Sequence, residues 1–81
     1  MPTVLRIDGY RIFFYSDEHN EPPHVHVTSA GKTAKFWLEP VELARSSGYT
    51  MVEINRIWRI VVEHRHFIEE QWDEFHSAYR R

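Results

Sequence analysis

An α+β fold is what this sequence predicts: an antiparallel sheet of about four strands, in two hairpins, followed by two or three C-terminal helices packed on one sheet face. Three observations carry that expectation. Ile7-Asp8-Gly9-Tyr10 sets a two-residue turn between alternating apolar segments. A second pair of alternating segments flanks Ser29-Ala30-Gly31-Lys32. Thr50 and Glu53 then make a capping box ahead of an apolar stripe at helical spacing. Strands come first and helices last, the order in which helices cover one side of an antiparallel sheet.

In the first hairpin, a turn at Asp8-Gly9 sets Ile7 against Tyr10, Leu5 against Ile12 and Thr3 against Phe14. Leu5, Ile7, Tyr10, Ile12 and Phe14 then form an apolar face. Arg6 falls opposite Arg11 on the reverse face, beside Val4, Phe13 and Tyr15, and like charges across a ladder are unfavourable unless something negative sits near them. An acidic loop, 16–23, follows. In the second hairpin a loop of two or of four residues gives the same register: His24 with Trp37, Val25 with Phe36, His26 with Lys35, Val27 with Ala34. Val25, Val27, Ala34, Phe36 and Leu38 become core, and His24, His26, Thr28, Thr33, Lys35 and Trp37 lie opposite.

Pro40 reads as the first position of a short helical turn from Val41 to Arg45, closed near Gly48. The capped segment continues with Ile54, Ile57, Trp58 and Val61, then Ile68, Trp72, Phe75 and Tyr79. Tyr49 and Ile54 occupy the positions of a hydrophobic staple. His64-Arg65-His66 interrupts the stripe. Either one helix bends there or two helices meet, and two helices is the expectation.

The 81 residues allow one domain, 1–81, with a single core. The chain is 42% hydrophobic and 27% charged, which excludes disorder, and three Trp, four Tyr and five Phe supply large units of buried area. A formal net charge of −2 rules out a generally basic nucleic-acid binder while permitting a local basic patch. Cysteine is absent, so thiolate sites and disulfides are excluded. No run approaches membrane-spanning length and no leader pattern precedes Val4, so a cytosolic protein is the expectation.

Chemistry concentrates in Glu21-Pro22-Pro23-His24-Val25-His26-Val27. His24 and His26, two residues apart on a strand, share one face. As a proton-transfer pair they could cleave RNA, whose own 2′-OH is the attacking group, with Lys35, Arg6 or Arg11 holding phosphate. As neutral ligands they could hold a divalent metal together with His19 or Glu21, or with Asp17 or Glu18. The plain alternative is a pair of half-exposed histidines packed on Trp37 and Lys35. A non-catalytic adaptor would instead use Trp37 and Tyr15 as anchors. Arg56 and Arg59, with Arg45 nearby in sequence, read as a solvated helix face balanced by Glu53 and Glu63.

Across nearly its whole length the chain also resembles a widespread bacterial family of small stand-alone proteins known only as a domain of unknown function. The residues that carry the likeness are Pro2-Thr3-Val4, Gly9-Tyr10-Arg11, Phe13-Phe14-Tyr15-Ser16, Glu21 to Val27, Ala34 to Leu38 and Pro40 to Ala44. The resemblance implies a component of a toxin–antitoxin-like two-gene module. Its partner would be a small protein encoded nearby; the histidine face makes RNA a further candidate, and a homo-oligomeric interface could supply burial that so small a core lacks. The resemblance implies no catalytic residue; His24 and His26 match the family pattern, and His19 belongs to it less.

Overall fold

The computed structural model describes residues 3–15 and 20–77. Five strands, β1 (Thr3–Ile7), β2 (Tyr10–Phe13), β3 (His24–Ser29), β4 (Lys32–Leu38) and β5 (Val41–Ser47), form one antiparallel meander in chain order. Two helices follow, α1 (Met51–Glu63) and α2 (Arg65–Ser77). Among the described residues no helix is long and apolar enough to cross a membrane.

Both hairpin turns use residues that tolerate a left-handed backbone. Asp8 and Gly9 sit at φ 51° and 84°, Ala30 and Gly31 at 48° and 78°. Two successive positive φ values match the twist of the strands they join. The β3–β4 register is the one that alternation dictates, His24 opposite Trp37 through Ser29 opposite Lys32. In the first hairpin Ile7, Arg6 and Leu5 meet Tyr10, Arg11 and Ile12 as expected, but Thr3 meets Phe13 rather than Phe14. A register shift between Thr3 and Leu5 accounts for this and lets Val4 pack against the core.

One expectation is corrected. Residues 41–45 do not form a helical turn; they open β5, so the sheet has five strands rather than about four. Five residues gain too little from one helical turn to hold it. Paired with β4, Val41 and Leu43 instead sit opposite Leu38 and Phe36.

The helices cover mainly one face, and at the His24 end of β3 Trp72 of α2 also reaches the side chains of the other. Ile54, Ile57, Ile60 and Val61 of α1, with Ile68 and Trp72 of α2, close over Tyr10, Ile12, Phe14, Val25, Val27, Ala34, Phe36 and Leu38. The capping box forms as read: Thr50 Oγ1 accepts from the Glu53 amide at 3.2 Å and Glu53 Oε1 accepts from the Thr50 amide at 3.0 Å. The apolar stripe breaks at His64, whose Nδ1 donates to the Ile60 carbonyl (2.9 Å), so two helices meet there. Trp58, expected in the core, is displaced to the sheet edge. Its Nε1 donates to the Val41 carbonyl (3.0 Å), and the ring stays 43% exposed. Tyr79 lies outside the described residues.

Glu69 of α2 meets Glu39 in the β4–β5 turn. A hydrogen bond with the Glu39 carboxyl, then burial, hold the Glu69 carboxyl above its ordinary pKa, against the opposing pull of Arg65. The folded chain therefore keeps this proton more tightly than the unfolded chain does. Its stabilising contribution is full below the unfolded pKa and is lost as pH rises through the folded one. Glu69→Gln should raise the urea midpoint at neutral pH, and its advantage over the wild type should shrink on acidification, read as paired denaturation curves across that range.

Candidate functional site on the helix-free sheet face

Side chains on the uncovered face line up in rows across the strands. Arg6, Arg11, Thr28, Thr33 and Ser47 form one row; Thr3, Phe13, His26, Lys35 and Arg45 form the next; His24, Trp37 and Glu42 form a third. The pairing of β2 with β3, Phe13 against His26, is what brings the Arg6/Arg11 pair and the histidines onto one face.

His24 and His26 share that face, as alternation requires, yet neither is half-exposed. His24 is fully buried and His26 is 7% exposed. A second layer of aromatic side chains encloses them. His26 stacks on Phe13 (5.5 Å between centroids, 26°) and meets the edge of Tyr15 at 4.5 Å. His24 lies edge-on to His26 at 5.2 Å and to Trp37 at 5.7 Å, and Trp72 of α2 reaches it at 4.9 Å. Small domains have little apolar area to spare, and closing both faces of the central strand is one way to add it. His24 Nδ1 donates to the Pro22 carbonyl (2.9 Å). A carbonyl can only accept, so the proton of the neutral ring sits on Nδ1.

Lys35 is buried as well. Its Nζ donates to Glu21 Oε1 at 2.6 Å and stands 4.6 Å above the Trp37 ring. Glu21 Oε1 is also 4.0 Å from His24 Nδ1, so the loop ahead of β3 brings one carboxylate to both basic groups. On β2, the Arg11 guanidinium covers the Phe13 ring at 4.5 Å, and its Nε donates to Thr3 Oγ1 at 2.8 Å. Arg6 is exposed beside it.

A cleft of about 220 Å³ opens on this face. It is lined by Phe13, Tyr15, His26, Thr33, Lys35, Arg45, Ser46 and Ser47, with Val27 and Ala34. Cations, hydroxyls and ring faces are the groups that take a phosphate with a flat ring beside it. Arg45 is the residue that sequence reasoning assigned elsewhere. Read as helical, it fell beside Arg56 and Arg59; as part of β5 it stands opposite Lys35. The available signal was the alternation of Val41 and Leu43 with Glu42. Arg56 and Arg59 stay on α1, where they line a separate groove with Asp8 and Glu63.

Of the other histidines, His66 is exposed, and His76 is buried with Nδ1 donating to the Trp72 carbonyl at 3.0 Å. Among the described residues no three His, Asp or Glu side chains stand together as a metal site. His19, Asp17 and Glu18, the loop ligands considered above, lie outside those residues.

Fold and face together define a small α+β domain with a basic, aromatic sheet surface. The chain matches the family described as Domain of unknown function (DUF4160) over residues 9–73, and it belongs to that family. No curated protein and no solved structure matches it.

The Lys35–Glu21 pair has a measurable signature. Glu21→Gln leaves a buried ammonium facing a weaker acceptor and should cost about 1–3 kcal/mol in urea denaturation. Adding Lys35→Met to that variant should recover part of the loss, because the uncompensated charge is gone. Additive losses would mean that the two residues act separately.

Proposed function

We propose that this protein is a phosphate-binding module that takes single-stranded RNA on its helix-free sheet face, within the toxin–antitoxin-like two-gene setting that the family resemblance implies. The observation that supports it is the meeting of Lys35 and Arg45 with Thr33, Ser46 and Ser47 in a cleft also lined by Phe13, Tyr15 and His26. A backbone phosphate would sit between the cations and hydroxyls. A base would stack against Tyr15, which is 38% exposed. Arg11 and Arg6 would carry the neighbouring phosphates along the sheet. The formal charge of −2 leaves this as a local basic surface on an otherwise acidic chain, so binding should be short-range and salt-sensitive.

Cleavage is a second reading, favoured by the position of His26 in the cleft wall. The 2′-oxygen would bond to the adjacent phosphorus as the bond to the 5′-oxygen breaks, with His26 taking the 2′-OH proton and returning one to the departing 5′-oxygen. His24, buried behind it, would hold the ring edge-on rather than touch RNA.

Fluorescence anisotropy with a labelled single-stranded RNA tests the binding reading. Wild type should bind at low salt, and Arg45→Ala and Arg11→Ala should each weaken binding and lower the slope of log K on log salt by about one. Affinity that ignores both substitutions would remove the proposal. The same mixtures run on a denaturing gel separate the readings: RNA cut by wild type and left whole by His26→Ala supports cleavage, whereas RNA left whole by wild type leaves binding alone.

A further inference from the structure

The sheet ends on β5, and among the described residues no strand pairs with its outer edge. Residues 42–48 are all exposed, and a seven-residue strand is long for an edge. An edge presents backbone donors and acceptors that fit another strand. On its helix side the edge is bordered by apolar side chains. Met51, Trp58 and Val62 fall on one stripe of α1 and are 69%, 43% and 41% exposed; Leu43 of β5 is 40% exposed. The hydrogen bond from Trp58 to the Val41 carbonyl holds this stripe alongside the strand. Trp58 takes that carbonyl, so pairing with a newcomer is centred further along, on residues 42–45.

The occupant must be an extended strand with apolar neighbours below and complementary charge above. A second copy of β5 meets both conditions. Glu42 stands opposite Trp37 and Arg45 opposite Lys35, so the register shift in this ladder puts both charges on the helix-free face although they are three residues apart. In an antiparallel pair with Leu43 opposite the partner's Ala44, Glu42 meets the partner's Arg45 and Arg45 meets the partner's Glu42. A one-residue slip would set residues of opposite faces against each other. A two-residue slip that places Glu42 opposite the partner's Ser47 sets Arg45 against the partner's Ala44, which lies on the other face, and forgoes both ion pairs.

We propose that the protein forms a two-fold dimer by β5–β5 pairing. The dimer joins the two five-stranded sheets into one, lays the two α1 stripes side by side, and locks register through the Glu42–Arg45 pairs. A two-fold contact of this kind is self-complementary and closes at two copies. Arg45 then stands at the seam, and its five donors can serve a carboxylate and an anion in the cleft together. The clefts of the two copies would flank the junction.

Sedimentation equilibrium of the full chain without RNA, from low micromolar to submillimolar concentration, tests this independently of any ligand. Wild type should be dimeric. Glu42→Arg and Arg45→Glu should each weaken the dimer roughly tenfold to a hundredfold, since each change acts twice across the two-fold. The double variant, which re-forms both pairs in swapped polarity, should restore it. Val62→Lys, on the helix surface and clear of the strand, should also favour monomer, so the proposal does not depend on variants of β5 folding normally. A monomer at every concentration, or a dimer indifferent to the single reversals or not restored by the double one, would overturn it.

Discussion

The pairing of Val25 with Phe36 organises this molecule, because a β-strand can divide its side chains in only one way once its register is set. With Val25, Val27, Ala34, Phe36 and Leu38 turned toward the helices, His24, His26, Lys35 and Trp37 must turn away from them. A slip of one residue would turn one strand over against the other, bringing either the two imidazoles of β3 or the Lys35 ammonium of β4 under the helices and sending that strand's apolar side chains to the other side. The turn at Ala30-Gly31, left-handed at both residues, resists that slip locally. The helices resist it globally, since Ile54, Ile57 and Trp72 need an apolar surface to close on.

What that register produces on the second face is a layer with its own interior. Phe13, Tyr15, Trp37 and the residues just before β3 shelter polar groups that a solvated sheet face would leave wet. Sheltering raises the strength of each electrostatic contact and the cost of leaving one unmade. Hence the close approach of Glu21 to Lys35, and the commitment of the His24 proton to a backbone carbonyl. His24 is thus more nearly a framework for the cleft than part of its mouth. The cleft itself, where this layer borders solvent, is lined by His26, Tyr15, Lys35 and Arg45.

The strand that supplies Arg45 also ends the sheet, so the proposed ligand cleft and the proposed dimer seam share one element. β5 is held from below by Trp58 and from the side by β4, while among the described residues no strand pairs with its outer edge. Edge strands are usually blunted by twist, charge or cover. Here the register shift near Lys35 bends the strand, and Glu42 and Arg45 place opposite charges along it. Such a pattern discourages indiscriminate strand addition and admits a partner with matching charges.

Much of this was legible in the chain itself. Turn chemistry at Asp8-Gly9 and Ala30-Gly31, period-two alternation and the Thr50–Glu53 box are local signals, and they determined both hairpins, most of their registers and the start of α1. The sharing of one face by His24 and His26 follows from the same alternation. Tertiary structure alone decided the rest. The segment 41–45 is a strand because β4 offered it a ladder, which outweighed the helical cue of Pro40. Arg45 joined Lys35 through that pairing, across ten residues of sequence. His24 and His26 became buried because side chains from β2, from the loop before β3 and from α2 converge on them. Convergence of that kind depends on how distant segments stack, and no periodicity within a single segment encodes it.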